Sequence, residues 1–324
     1  IDFWYESQAV DAEVQDDVVT GVYLMTPTGL ELWRAPLFID ATGDGVFAMA
    51  AGVPFQLGRP ADNFCQGASI SFEIGGISTE LDIRSLPQSF GQHYAVPAGD
   101  LCQLAQEHLT SPAGHVLLHP SAEPGVATAN MTNAVQFDCT SAKERTAAIQ
   151  LCRRQMTECI QFLQKYLPGF EQCYLHRSAE QFGIRESRHF QGMVTVTDED
   201  IRANRVFPDW ISTRNLFGFD LHNVSGSGLD PDGVIELPDC SRYGYTIPLR
   251  ACLPIRHRHL LLCGRNISGT HLAHSSFRVM PICMNIGLGV GVTAASALQY
   301  GKELMDVEIV DVQKELIRQG VSQP

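Results

Sequence analysis

From Asp2 to Asp11 apolar Phe3 and Tyr5 alternate with Trp4 and Glu6, and the runs Val18 to Met25 and Leu30 to Pro36 follow. Turn residues separate these runs at Asp16-Asp17 and Thr26-Pro27-Thr28-Gly29, so the pattern predicts a small antiparallel meander. Leu37 to Ala41 reads as a buried strand, and Thr42-Gly43-Asp44-Gly45 as a tight turn into a short helix ending near Gly52. The alternation from Ala68 to Ile74 predicts a further strand, closed by Gly75-Gly76. The next sixty or so residues are rich in Pro, Gly and Ser and predict little.

Ser141-Ala142-Lys143-Glu144 has the spacing of a capping box, which opens a helix that Pro168-Gly169 stops after Leu167. Ile149, Cys152, Met156, Cys159, Ile160 and Leu163 recur along it at helical spacing, as a core-facing stripe does. Met193 to Thr197 is strand-like and ends on a second cap at Thr197. Farther on, Leu260, Leu261 and Leu262 form an apolar run that Gly264 ends, which suits a strand covered on both faces. The stretch from Arg265 to Arg278 is a polar loop carrying Asn266, Ser268, Thr270, His271, His274, Ser275 and Ser276, more polar density than a connection needs. Pro281 suits the first position of a helix thinned by Gly287, Gly289, Gly291, Ala294 and Ala295. A helix starting there leaves the amides of Cys283 and Met284 free, an arrangement that favours an anion. The tail from Val307 to Gly320 is amphipathic, with Val310, Leu316 and Ile317 on its apolar side.

Composition narrows the picture. A chain of 324 residues, 44% hydrophobic and 18% charged, is long enough for two domains with real cores. A formal charge of −13 with no Lys/Arg cluster excludes a nucleic-acid partner held by phosphate contacts. No apolar run is read as approaching the roughly 18 residues of a membrane span, and the first residues do not resemble a signal peptide, so no membrane and a cytoplasmic setting are expected. The ten cysteines nowhere form a CxxC, which argues against iron–sulfur or structural zinc sites and leaves metal: none as the expectation. They read as small buried residues of a reducing compartment.

Gly43, Gly45 and Ala48 satisfy G-x-G-x-x-A after a strand, the nominal dinucleotide fingerprint. That reading is rejected: the helix is short, no second parallel strand follows at the expected distance, and Asp44 would face a pyrophosphate with like charge. A second charged cluster, Arg185, Glu186, Arg188 and His189, lies between apolar neighbours.

Three stretches carry a resemblance. They are the run of Gly264, Arg265, Ser268, Thr270, His271, Ala273, Ser276, Arg278, Val279, Met280, Pro281, Cys283 and Met284; FIDATGDG from Phe38 to Gly45; and Gly183 to Ile201. Together they resemble the FAD-dependent oxidoreductase family of the glutathione-reductase-like flavoprotein superfamily, over about Val18 to Gly320. The resemblance implies that Thr42, Gly43 and Asp44 lie near the cofactor. It implies that the segment from Gly264 to Arg278, with Arg265, Ser268, His271, Ser276 and Arg278, and the amides after Pro281, at Cys283 and Met284, hold the isoalloxazine and ribityl. Arg185 and Arg188 become candidate anion binders, with Glu186 orienting one of them. His222, in an Asp-x-His element, and Arg250, facing a substrate carboxylate, complete the catalytic candidates with His271. The family usually has Arg and an aliphatic residue where this chain has His189 and Phe190, which bears on substrate identity.

The fold implied is α/β: a partial FAD-binding Rossmann-like domain, sheet plus β-meander, formed by residues 1–60 and 241–324, with an inserted α+β substrate domain at 61–240. The family opens with a strand, GxGxxG and a helix that hold the FAD pyrophosphate, and this chain begins at the family's meander, so a C-terminal portion is expected. The activity implied is hydride transfer between FAD and a small, possibly anionic, substrate bound between the domains, with a His moving the proton. The competing reading is a chain that is not catalytic alone and binds FAD weakly or not at all. A homo-oligomer or a separate N-terminal half are the partners expected besides the substrate.

Overall fold

The computed structural model describes residues 1–233 and 244–324, and divides them between two compact units. The first comprises Ile1–Asn63, Arg188–Asp220 and Ile235–Pro324, and the second Phe64–Ser187 and Leu221–Val234. Arg188–Asp220, which lies inside the 61–240 stretch, thus packs with the first unit. Cys240 and the 240/241 boundary lie outside the described residues.

In the first unit a meander is present: β1 (Gln8–Gln15), β2 (Val18–Thr26) and β3 (Gly29–Trp33) pair antiparallel in that order. Its first strand starts later than the alternation suggested: Ile1, Phe3, Trp4 and Tyr5 are exposed and lie outside the strand ladder, although the Trp4 ring meets Trp33 of β3 edge-on at 4.6 Å. β4 (Phe38–Asp40) then runs into α1 (Val46–Ala50), and β5 (Phe55–Leu57) follows. β4 was expected to be buried throughout, but it alternates: Phe38 and Asp40 turn inward while Ile39 stays 42% exposed.

The second unit is built on an antiparallel sheet. Its strands are β6 (Phe72–Gly75), then, beyond the short hairpin β7 (Ala95–Val96) and β8 (Gly99–Asp100) and helix α2 (Leu101–His108), β9 (Leu118–Pro120) and β10 (Ala127–Ala129). Helix α3 (Ala142–Tyr166) and β11 (Tyr174–Ser178) complete it, in the sheet order β11-β6-β10-β9. Period-two alternation decides the faces: Phe72 and Ile74 go to the core, while Glu73 pairs with Arg177 at 3.0 Å on the other side. The core stripe of α3 is as expected, with Cys152, Met156, Cys159 and Leu163 buried. Burial pushes the Cys159 thiol up to about 12 and Cys173 up to about 11, so both are protonated packing groups. The capping box at Ser141 does not form: its hydroxyl makes no cap bond, and Glu144 instead accepts from the Asp138 amide at 2.8 Å.

Returning to the first unit, β12 (Arg188–Phe190) pairs with β5, and α4 (Asp198–Arg202) opens on a capping box in which Thr197 and Asp200 exchange bonds. The strand expected at Met193 to Thr197 reduces to isolated bridges, Val196 pairing Gly269. β13 (Trp210–Asn215) pairs antiparallel with β14 (Tyr245–Pro248), while β15 (Leu260–Leu262), wholly buried, pairs parallel with β4 across more than two hundred residues of chain. The polar loop is shorter than the pattern suggested, because α5 (His271–Phe277) forms within it. Thr270 caps α5, its hydroxyl accepting from the Ala273 amide at 3.2 Å.

α6 (Met280–Tyr300) is one residue earlier at its start than expected, so Pro281 takes the second helical position. The Cys283 amide is consequently not free and donates to the Val279 carbonyl at 3.0 Å. Helix geometry leaves the Met280 and Ile282 amides without an intrahelical carbonyl. Contrary to the sequence reading, α6 is long and apolar enough, by length and composition, to cross a membrane. Ile282, Ile286, Val290 and Ala297 are nonetheless buried in the core of this unit, against β13. α7 (Ile309–Arg318) buries Val312 and Leu316, leaving Val310 56% exposed, so its apolar face is rotated from the one expected.

The glycines of α6 differ sharply. A Cβ on Gly289 would lie 2.4 Å from the Ile211 carbonyl oxygen, whereas one on Gly291 would meet nothing within 4 Å. Gly289→Ala is therefore expected to destabilise the chain by about 1–3 kcal/mol through forced separation of α6 and β13. Gly291→Ala is expected to be neutral or stabilising by up to about 1 kcal/mol, from helix propensity. Urea denaturation of the two variants checks this, and similar midpoints would refute the close approach.

Candidate functional site

Parallel pairing of β4 and β15 sends the two following turns out at the same end of the strands, the carboxyl end where open α/β sheets place ligands. Asp40, at the last position of β4, organises that end although its residue is only 1% exposed. Its Oδ1 accepts from the Thr42 amide at 2.9 Å and the Thr42 hydroxyl at 2.7 Å, and its Oδ2 from the Ala48 amide at 2.7 Å. Its carbonyl accepts from the Cys263 amide and from Asn266 Nδ2, both at 3.0 Å. One acid thus ties the turn after β4, the start of α1 and the turn after β15 together. Asp40 was not among the sequence candidates, and an acid in an apolar triplet was the signal available.

Asp44 is the charged centre. Its Oδ1 accepts from Arg265 Nη2 at 2.6 Å, and its carbonyl accepts from Arg188 Nη1 at 3.0 Å. Two guanidinium groups from distant parts of the chain therefore converge on one residue. Among the described residues the buried Nε of each, Arg265 and Arg188, has no partner. Gly43 has φ +78°, and a Cβ there would lie 2.1 Å from Arg265 Nη1, so the glycine is what lets the arginine cross the turn. Gly264, with φ +92°, has no heavy atom within 4 Å of where its Cβ would stand, leaving open space beside the second turn.

The Val46 amide is taken by Thr42 Oγ1 at 2.9 Å and the Ala48 amide by Asp40, so two of the first three amides of α1 already bind protein acceptors. The charge objection to Asp44 is weaker than it looked, since Arg265 offsets it.

The other candidates scatter. Ser268 is buried and shares a hydrogen bond with the Thr195 hydroxyl at 3.0 Å. Ser276 is wholly buried, its hydroxyl bonded to Tyr245 Oη at 2.8 Å and to the Phe217 carbonyl. Arg278 spans Asp220, donating through Nη2 to its carbonyl at 2.8 Å and to Oδ2 at 2.9 Å. His271 stands half-buried at the first position of α5. Cys283 donates its thiol to the Arg278 carbonyl at 3.3 Å and is pushed up to about 11 by burial, while Met284 is 74% exposed.

Arg185, Glu186 and His222 belong to the second unit. Arg185 donates to the Gly67 carbonyl and, at 3.4 Å, to Asn130 Oδ1. Glu186 is buried and accepts from the Gln66 amide at 2.8 Å. His222 is buried and meets Phe90 edge-on at 5.2 Å.

Arg250 forms a fork with Asp209, Nε to Oδ2 at 2.9 Å and Nη2 to Oδ1 at 3.0 Å, a partner that sequence reasoning missed. Burial pushes the Asp209 carboxyl up, but the hydrogen bonds and charge of Arg250 outweigh it and hold the group below its ordinary value. A depressed carboxylate contributes stability above its unfolded pKa of about 3.9 and loses it as pH falls through the lower folded value. Arg250→Ala is therefore expected to lower stability at pH 7, by about 1 kcal/mol or less because the arginine is half exposed, and by progressively less below about pH 4. Denaturation at both pH values tests the assignment, and a pH-independent loss would mean that Arg250 acts by packing.

A family model described as FAD dependent oxidoreductase matches residues 1–316. No curated protein matches the chain. Among solved structures, the chain is similar to a geranylgeranyl bacteriochlorophyll reductase-like protein from Thermoplasma acidophilum, with 11% identity and a TM-score of 0.44, over 98% of this chain and 54% of the other. The chain therefore spans about half the length of that structure. With the family model covering nearly its whole length, the chain belongs to the FAD-dependent oxidoreductase family.

Proposed function

We propose that the turns after β4 and β15 hold the flavin end of FAD, in a reaction that moves a hydride between FAD and a small organic substrate. The observation that supports this is the convergence of Arg265 and Arg188 on Asp44 at the carboxyl end of the parallel pair, each arginine keeping a buried Nε without a partner among the described residues. Flavin and ribityl are rich in hydrogen-bond acceptors, which suits a donor set of this kind. The open face of Gly264 would admit a flat ring close to the backbone. FAD, when bound, supplies the hydride acceptor, and the protein supplies position, charge and proton transfer.

In this reading Arg265 offsets negative charge on the ring, acting as a preorganised cation already oriented by Asp44. Asp40 and Asn266 keep the two turns in register. His271, at the start of α5, is the proposed proton-transfer group, an imidazole being suited to that task near neutral pH. The Rossmann-like character of the first unit, the role of the second as a substrate domain and a reducing, cytoplasmic setting all belong to the same proposal. Seven of the nine described cysteines are buried, as small packing groups of such a protein would be.

A second reading is that this chain binds FAD only weakly and works with another FAD-binding segment. The amides of Val46 and Ala48, already engaged by Thr42 and Asp40, support it, because a diphosphate needs such amides unsatisfied. Titration of the purified chain with FAD and with FMN separates the readings. Flavin absorbance near about 450 nm that develops with both, at affinities within about tenfold of each other, fits a seat for the flavin end alone; FAD binding more than about a hundredfold tighter would refute the weak-binding reading.

Arg265→Ala is expected to weaken flavin binding at least about tenfold, and His271→Gln to lower turnover while leaving binding within about threefold. Cys152→Ala, in the core of the second unit, is expected to cost stability and leave flavin affinity unchanged. Equal loss of flavin binding in all three variants would sink the assignment.

A further inference from the structure

The second unit contains a cavity of about 630 Å³ whose lining includes Phe90, Asp100, Gln103, Gln106, His115 and Ser227. That volume lies within the roughly 300–1,000 Å³ usual for small-molecule sites. Its walls are held by buried hydrogen bonds. Asn133 Nδ2 donates to the Pro112 carbonyl at 3.2 Å and to the Gly226 carbonyl at 2.9 Å, fixing the two loops that contribute Gly114 and Ser227 to the lining. Asn133 is itself clamped by Gln155, which accepts from its amide at 2.8 Å and donates to its carbonyl at 2.9 Å. Such a cavity is formed before any ligand arrives.

His115 gives the cavity its chemistry. It is only 8% exposed, and its Nε2 lies 3.0 Å from the Asn130 carbonyl oxygen. A carbonyl oxygen only accepts, so Nε2 carries the proton and Nδ1 holds a lone pair. Burial and the nearby charge of Arg185 push the imidazole down to about 4, so it stays neutral at pH 7 and Nδ1 remains an acceptor. This buried Nδ1 has no hydrogen-bond partner among the described residues. A ligand N–H or O–H would satisfy this buried acceptor.

The remaining lining restricts the ligand. Phe90 is half-buried and meets both His115 and His222 edge-on, at 5.0 and 5.2 Å, providing an aromatic wall. Among the described residues no Lys or Arg lines the cavity, and His93 does. Asp100 lines it as well, and hydrogen bonds from the Gln103 and Tyr94 amides keep its carboxyl below the ordinary value and hence charged. An anion near Asp100 would meet that charge. We propose that the cavity binds a neutral, planar ring compound that donates one N–H or O–H to His115 Nδ1.

The proposal goes beyond the flavin reading and does not depend on it, since every residue it uses lies in the second unit. Calorimetric titration of the full chain with indole, 1-methylindole and indole-3-carboxylate tests it. Indole is expected to bind saturably, and the other two at least tenfold more weakly. In His115→Phe the preference for indole over 1-methylindole is expected to collapse to near unity. Absence of saturable indole binding, equal binding of indole and 1-methylindole, tighter binding of the carboxylate, or an unchanged preference in His115→Phe would each overturn the proposal. Should His115→Phe fail to fold, nitrogen NMR of the wild-type imidazole replaces it: Nδ1 of His115 must shift on addition of indole and not of 1-methylindole, and an unmoved resonance overturns the assignment. Flavin affinity measured on the same sample would be unaffected by either result.

Discussion

The inward carboxyl of Asp40 is the constraint on which the first unit's site depends. An acid that is 1% exposed must have its acceptors filled, and here three donors from Thr42 and Ala48 fill them. Those donors belong to the turn and helix that follow β4, so satisfying the carboxyl also fixes the path of the chain through Gly43 and Gly45. The Asp40 backbone does the same for the distant strand, its carbonyl receiving the Cys263 amide and Asn266 Nδ2. Local satisfaction of one buried group thereby sets the relative position of Asp44 and Arg265, which lie 221 positions apart.

With that frame in place, Asp44 acts as an anchor for cations. Arg265 and Arg188 use part of their donor capacity on it and retain Nε. An arginine held by one carboxylate loses less side-chain freedom when it meets a second acceptor than one waving in solvent. The glycines are needed for this arrangement more than for phosphate approach. Gly43 yields space to Arg265 and Gly45 to Phe190, whose ring would stand 1.9 Å from an added Cβ. A pattern resembling a dinucleotide fingerprint can thus come from side chains that must cross a turn.

What was legible in the sequence follows from how local each signal is. The meander, the buried triplet Leu260 to Leu262, the stripe on α3 and the cap at Thr197 rest on neighbours within a turn or a strand, and all four are present. The parallel pairing of β4 with β15 is not local, and only the resemblance, which assigned residues 1–60 and 241–324 to one domain, pointed toward it. Misreadings share a cause as well. Thr270 could cap a helix or sit in a polar loop, and packing of Ala273 and Phe277 into the core decided for the helix. Glu144 had the right spacing for a capping box but found the Asp138 amide instead. Side-chain partners were the least legible: nothing near Arg250 in sequence announces Asp209, nor near Arg278 announces Asp220.

Those partners change the expected substrate chemistry. Arg250 is forked to Asp209, Arg278 to Asp220, and Arg185 donates to the Gly67 carbonyl and Asn130. For any of them to grip a substrate carboxylate, an existing charge-assisted or buried bond would have to be exchanged for a similar one. The gain would be a difference of two like terms, while the displaced Asp would be left uncompensated. Binding energy comes more cheaply where a group still lacks a partner, and among the described residues such groups include the Nε donors of Arg265 and Arg188 and the Nδ1 acceptor of His115. One set asks for acceptors, as flavin offers, and the other for a neutral donor. The two sets are of opposite sense, and neither draws on Arg185, Arg250 or Arg278, whose bonds are already made within the protein.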